Sequence, residues 1–347
     1  MKNQICLLYI KRISIKIYTF LDFSRCSFYI KQALNRKLLS LNRQINLYLY
    51  CTIRIVFKNN IKREYKVKMK LKTIIISTIF LTFLIIWIWW GNTALQLNSY
   101  IISSDNIPDV FNGYRIAHLS DIHNTEIGKN NEFLISTLLY ADPDIIVITG
   151  DFIDARKTNI DVALKFAEQA MKIAPCYYIP GNHESRISVF EDFKDRLKNL
   201  QVVILENKSC KLEAGGEYIS LLGVADPSFK KNSTYSNKDI ISTELEKLIK
   251  DTAEYTILLS HRPELFDVYV TKGINLVLSG HAHGGQFRIP FIGGLIAPNQ
   301  GIFPKYDAGL YIEKNTNMIV SRGIGNSSFP FRINNRPEVV LIELKNN

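Results

Sequence analysis

The chain has 347 residues, 47% hydrophobic and 22% charged, which fits one large domain with an appendage or two domains and excludes both a small disulfide scaffold and a disordered tail. The formal charge is +11, yet residues 1–72 hold 17 of the 43 Lys/Arg and only two of the 32 Asp/Glu, Asp22 and Glu64. The remaining 26 bases and 30 acids leave the body mildly acidic, so no nucleic-acid partner is expected there.

No glycine precedes Gly91 and no proline precedes Pro108, so the first 90 residues lack the turn punctuators of an ordinary globular domain. Residues 1–68 are basic, contain Cys6, Cys26 and Cys51, and carry no recognisable motif. They are expected to lie outside the functional protein, because Met69-Lys70-Leu71-Lys72 followed by an apolar run is how an exported or anchored chain begins. A basic arm on anionic lipid or nucleic acid is the rival account.

Thr73–Trp90 is an uncharged run of 18 residues, about 27 Å as a helix and close to the ~30 Å hydrocarbon thickness of a bilayer. Trp87, Trp89 and Trp90 crowd its C-terminal end, where indoles favour the lipid–water interface, and Lys62, Arg63, Lys66, Lys68, Lys70 and Lys72 crowd the other. Residues 69–91 therefore read as a single-pass transmembrane anchor, with the basic flank in the cytoplasm and the body outside it. Cleavage near Asn92-Thr93-Ala94 is the competing account and also exports the body.

From residue 108 onward, short apolar runs alternate with amphipathic stretches. Strands are predicted at Arg115–Ser120, Asp144–Thr149, Cys176–Ile179, Gln201–Leu205, Glu217–Val224, Tyr255–Leu259 and Leu276–Ser279. Three more follow at Gly309–Glu313, Met318–Ser321 and Val339–Leu344. Helices are predicted near 130–140, 160–173, 243–250 and 264–271. The pattern gives an α/β protein in which two sheets are covered by helices, with residues 108–347 as one domain.

Predicted strands end alike: Ser120-Asp121-Ile122-His123, Gly150-Asp151, Gly181-Asn182-His183-Glu184, Ser260-His261 and Gly280-His281-Ala282-His283. Carboxyl ends of strands in α/β sheets are where loops converge on ligands. All six histidines follow residue 117, and five belong to these groups. Asp, Asn and His side chains offer the oxygen and imidazole-nitrogen mixture that suits zinc, manganese or iron. Asp121, His123, Asp151, Asn182, His261, His281 and His283 are too many ligands for one ion and suit two divalent ions sharing a carboxylate. Gly150, Gly181 and Gly280 are expected to let the backbone turn tightly beside them.

The motifs DIH, GD, GNHE, SH and GHAH, in this order over roughly residues 113–345, resemble the calcineurin-like metallophosphoesterase superfamily. The string GHAHGGQ, with PNQGIFPKYDAGLY and SRGIGNS, is similar to a membrane-associated bacterial branch resembling UDP-2,3-diacylglucosamine pyrophosphatases. The resemblance implies a two-sheet β-sandwich flanked by helices, a four-layer αββα fold. It also implies that one metal takes Asp121, His123 and His283, that the other takes Asn182, His261 and His281, and that Asp151 bridges them. His183 would act as general acid or electrophile, and a metal-bridging hydroxide would attack the phosphorus.

The function read from this is a metal-dependent phosphohydrolase acting on a phosphodiester or pyrophosphate, with a membrane or cell-envelope substrate that is lipid-linked. The alternatives are a UDP-2,3-diacylglucosamine-type pyrophosphatase, against which an exported body counts, and a membrane-tethered metal-binding module without turnover. A nuclease is disfavoured by the acidic body. A Ser/Thr protein phosphatase is disfavoured because GDFIDAR lacks a glycine after its arginine. Glu184 is expected to hydrogen bond a histidine or backbone group, His118 to be a packed histidine and Cys176 an inert core thiol, though a Cys176–Cys210 disulfide is conceivable. Asp154, Arg322 and Asn326 are weaker candidates for the site.

Overall fold

The computed structural model describes residues 28–230, 233–326 and 329–347, so Cys6, Cys26 and Asp22 lie outside the described residues. The chain divides into two units, Met1–Thr82 and Phe83–Asn347. The described part of the first is helical and almost wholly exposed. The helix to which it belongs, α1 (Phe28–Thr93), contains a stretch long and apolar enough to cross a membrane.

The second unit holds two six-stranded sheets. In one, β1 (Gln96–Ser103), β16 (Glu338–Lys345), β2 (Arg115–Leu119), β3 (Ile145–Thr149), β4 (Cys176–Ile179) and β5 (Val203–Ile204) lie in that order. In the other the order is β14 (Gly309–Glu313), β15 (Thr316–Val320), β9 (Leu276–Ser279), β8 (Thr256–Leu259), β7 (Glu217–Gly223) and β6 (Lys208–Ala214). Strands β2 to β5 are mutually parallel, as are β7, β8, β9 and β15.

Continuous apolar runs form these central strands because both faces are covered. Along β3, Ile145 and Val147 join the core between the sheets, whereas Ile146 and Ile148 join a core under the helices. The helices over that face are α2 (Glu132–Ala141), α3 (Ile160–Ala170) and α4 (Phe190–Asn199), which contribute Leu134, Phe166 and Phe193. On the other sheet Ile257 and Leu259 face inward, while Leu258 packs with Leu245 of α5 (Asn237–Leu248) and Phe266 of α6 (Phe266–Thr271). The result is the expected helix–sheet–sheet–helix order. Burying one such aliphatic side chain is worth about 1.5–3 kcal/mol, well above a surface ion pair, so the strand ends form a stiff edge.

Strands β1 and β6 and helix α4 were not among the expected elements. The two strands are outermost in their sheets and have one buried residue each, Ile102 and Leu212. The sheet thus begins before residue 108, because β1 pairs along its length with β16. Two small hairpins, β10 (Arg288–Ile289) with β11 (Gly293–Gly294) and β12 (Ile296–Ala297) with β13 (Gly301–Ile302), precede β14. Cys176 packs on the helix side of its sheet and Cys210 against the core between the sheets. Both thiols are free, and burial pushes that of Cys176 up to about 12.

Candidate metal centre

Five parallel strands, β2, β3, β4, β8 and β9, deliver the polar residues at their carboxyl ends. Asp121, His123, Asp151, Asn182, His183, His261, His281 and His283 are all buried there and form one cluster. The backbone at this edge is unusual: Asp121, His123, Asp151, His281 and His283 all adopt left-handed φ between 47° and 65°. Non-glycine residues pay for that conformation, and such strain persists where the surrounding fold over-determines it.

The glycines act mainly by making room. Gly150 has φ of 90°, as a tight turn requires. Gly181 and Gly280 do not have positive φ, contrary to the expected reason for them. A Cβ on Gly181 would collide with Asp151, and one on Gly280 with Ser120 and Asp121.

Asp151 stands at the centre. Its Oδ2 lies 3.6 Å from His123 Nε2, 3.3 Å from His261 Nε2 and 3.9 Å from His183 Nε2. On one side, His283 Nε2 is 3.2 Å from Asp121 Oδ1 and 3.3 Å from His123 Nε2. On the other, His261 Nε2 is 3.2 Å from Asn182 Oδ1 and 3.1 Å from His281 Nδ1. All seven expected ligands and His183 are therefore brought together. Three groups place their donor atoms within 4.8 Å of one another: Asp121 with His123 and His283, His123 with Asp151 and His183, and Asp151 with His261 and His281.

A cation fits this donor set. Imidazole nitrogens converge, and buried Asp121 Oδ1 has no hydrogen-bond partner, an arrangement that costs free energy unless a positive charge satisfies it. His261 Nδ1 donates to Thr149 O at 2.7 Å, which points Nε2 into the cluster, the nitrogen that would ligate a cation on giving up its proton. Burial opposes the Asp151 charge, but His261 above all holds its carboxyl well below the usual carboxylate range, and Asp151 in turn overcomes burial to raise the His261 imidazole to about 10. Burial drives His123 down to about 3, so its imidazole is neutral and able to ligate.

The other expected residues also find places. Ala155 N donates to His183 Nδ1 at 3.0 Å, with Asp154 Oδ1 3.5 Å away, so in neutral His183 the proton is on Nε2. Asp154 is gripped by Arg156 through two side-chain hydrogen bonds. Glu184 accepts three backbone N–H groups, and His118 Nε2 bonds Thr149 Oγ1 at 2.8 Å in the core. The Asn326 side chain is bonded to Asn92, Pro330 and Arg332, and Arg322 sits beside Glu338.

Sequence reading missed Arg262 and Asp226. The Arg262 guanidinium is buried, bonds Asp226 by two nitrogens and reaches His281 Nε2 at 3.1 Å. The sign available was an arginine directly after His261. Asn335, which donates to His283 O at 2.7 Å, carried no such sign.

The calcineurin-like phosphoesterase family matches residues 114–285, the stretch that holds every one of these clustered side chains. Residues 114–285 thus form a calcineurin-like metallophosphoesterase domain, a hydrolase domain, and the family together with the His/Asp clusters supports divalent-metal binding. An uncharacterized metallophosphoesterase, YkuE, of Bacillus subtilis is 28% identical over 260 residues, 72% of this chain and 86% of that protein. A transmembrane protein with metallophosphoesterase domain from Danio rerio is 28% identical over 255 residues, 70% of this chain but 56% of its own length. Phosphodiesterase YaeI of Escherichia coli is 25% identical over 250 residues, 67% and 82% of the two chains.

Proposed function

We propose that the protein hydrolyses a phosphodiester or pyrophosphate at a pair of divalent ions, manganese, zinc or iron. Asp121, His123 and His283 would hold one, Asn182, His261 and His281 the other, with Asp151 shared. The observation that carries this is the position of Asp151 Oδ2, within 3.6 Å of a histidine nitrogen from each group. When bound, such ions polarise a phosphoryl oxygen and make hydroxide available near neutral pH. The protein's own part is to hold the phosphoryl group over Asp151 and to supply a proton. His183 is placed for the second task, since the Ala155 N–H fixes its Nδ1 as acceptor and leaves the proton on Nε2 for a departing oxygen.

The apolar stretch of α1 is read as the anchor, with Lys62 to Lys72 on the cytoplasmic side and the catalytic domain outside. A lipid-linked or envelope phosphoester is the substrate class that suits this position. Supporting it is a cavity of about 350 Å³ that reaches the cluster at His283 and is lined beyond it by Ile296, Ala297, Pro298 and Phe329, with Gln286 and Asn299 as its polar side chains. The resemblance carried by Gly280–Gln286 favours a diacylated sugar nucleotide as the second reading, although exported placement opposes a cytosolic one.

The test uses the full chain in detergent, loaded with Mn²⁺ or Zn²⁺ and assayed on bis(p-nitrophenyl) phosphate and a panel of monoesters, diesters and pyrophosphates. Turnover that disappears in Asp151→Ala, with two ions per chain by metal analysis, supports the reading. Metal uptake without hydrolysis across the panel refutes it.

A further inference from the structure

We propose that residues 287–305 and 329–336 form a second membrane contact, a face that sets its apolar side chains into the headgroup region of a bilayer containing anionic lipid. It goes beyond the hydrolytic reading and does not depend on it. Phe291, at the tip of the β10–β11 hairpin, is 109% exposed, and Ile292, Ile302, Phe303, Phe329 and Ile333 are exposed as well. Isolated apolar residues on a surface are ordinary, whereas a contiguous set marks a contact.

Contiguity is visible in the backbone and rings. Arg288 N donates to Ile333 O at 3.0 Å, Phe303 N donates to Leu295 O at 2.8 Å, and the Phe287 ring packs on Phe329 and Phe331. Both hairpins and the 329–336 loop thus belong to one surface.

The bilayer is the occupant because this surface is fastened to the end of α1. Asn92 accepts from Arg332 N at 2.8 Å and donates to Arg332 O at 3.1 Å, and the Arg336 guanidinium lies 4.7 Å from the Trp90 ring centroid. Trp87, Trp89 and Trp90 mark the headgroup level by the preference of indole. The loop that bears Phe329, Phe331 and Ile333 is therefore bonded within two residues of that level. Neither segment contains an acid, while Lys305 and Arg336 flank their ends, a balance that attracts anionic headgroups. The cavity beside His283 is lined by Ile296 and Phe329 of the same surface, so a phosphoester at headgroup depth would reach the cluster without crossing bulk water.

The experiment reconstitutes the full chain into phosphatidylcholine–phosphatidylglycerol vesicles that carry a diazirine on the acyl chain, irradiates them and maps lipid adducts by mass spectrometry. Adducts are expected on peptides spanning 287–305 and 329–336 as well as on α1. The Phe291→Asp/Ile302→Asp variant is expected to lose those on 287–305 while keeping its α1 adducts and the parent's hydrolysis of a water-soluble aryl diester. Adducts confined to α1, with 287–305 labelled no more than the exposed α2 peptide containing Tyr140, overturn the proposal. Intermolecular protein cross-links through 287–305 in place of lipid adducts also overturn it and assign the surface to a second copy. A wild-type chain that gains the lipid adducts but hydrolyses nothing refutes the hydrolytic reading alone.

Discussion

The Glu184 carboxylate accepts hydrogen bonds from the backbone N–H of Asp151 at 3.0 Å, and its two oxygens take two further N–H groups, from Gly181 and Ile153. One buried side chain therefore fixes the loops after β3 and β4 relative to each other. Replacing it by glutamine turns an amide N–H toward at least one N–H donor. Glu184→Gln is expected to destabilise the fold by about 1–3 kcal/mol, read by thermal unfolding, and to lower the metal content per chain.

Gly280→Ala tests whether space or turning is what that position supplies. Its φ is not positive, so alanine meets no backbone penalty, but its Cβ would strike Ser120 and the Asp121 carboxylate. The expected outcome is a folded protein with reduced metal content and reduced hydrolysis, because Asp121 must shift. Unchanged metal content would show that the cluster tolerates the displacement.

His183→Ala distinguishes proton donation from metal holding. A general acid contributes about 10²–10⁴-fold, and it matters most when the leaving oxygen is basic. The variant is expected to lose far more activity on an alkyl diester than on a p-nitrophenyl diester while keeping its metal. Equal losses on both, accompanied by metal loss, would make His183 a ligand.

His118 predicts a pH dependence of stability. Burial lowers its imidazole from 6.5 to about 3, so the unfolded chain takes up the proton first. Its contribution is complete above pH 6.5 and falls by about 1.4 kcal/mol for each unit below that, until pH approaches the folded value. Denaturant unfolding from pH 8 to 4 should show this slope in wild type minus His118→Leu. A flat difference would mean that His118 takes up its proton at the same pH in the fold as in the unfolded chain.

Asn92→Ala should loosen the loop fastened to α1. Removal of the paired hydrogen bonds to Arg332 N and O is expected to speed hydrogen exchange in 329–336, with β2 and β3 unchanged.

Much of the fold was legible because β2, β3, β4, β8 and β9 are short apolar runs that end in Asp, Asn or His. Buried on both faces, such runs have few alternatives, and predicted boundaries fell within about two residues of those found. Strands β1 and β6 lie at sheet edges and escaped because period-2 alternation does not register in them: Leu97, Tyr100, Ile101 and Ile102 of β1 are irregularly spaced, and β6 is mostly polar. Helix α4 did offer a sign, with Phe190, Phe193 and Leu197 buried at helical spacing. At the site, the motif residues announced themselves by type, Glu184 as a backbone-bonding carboxylate among them, whereas Arg262 with Asp226 depends on a partner distant in the chain.

By itself the sequence determined two helix-covered sheets, the apolar helix and the identity of the eight clustered side chains, since each follows from local residue type and spacing, while the order of the layers came from the family resemblance. Only the tertiary structure decided that Asp151 Oδ2 lies between the two histidine groups and that a loop 240 residues away in sequence is bonded to Asn92. Those are distances between segments remote in the chain, set by the packing of one sheet on the other and by backbone hydrogen bonds, and no local pattern encodes them.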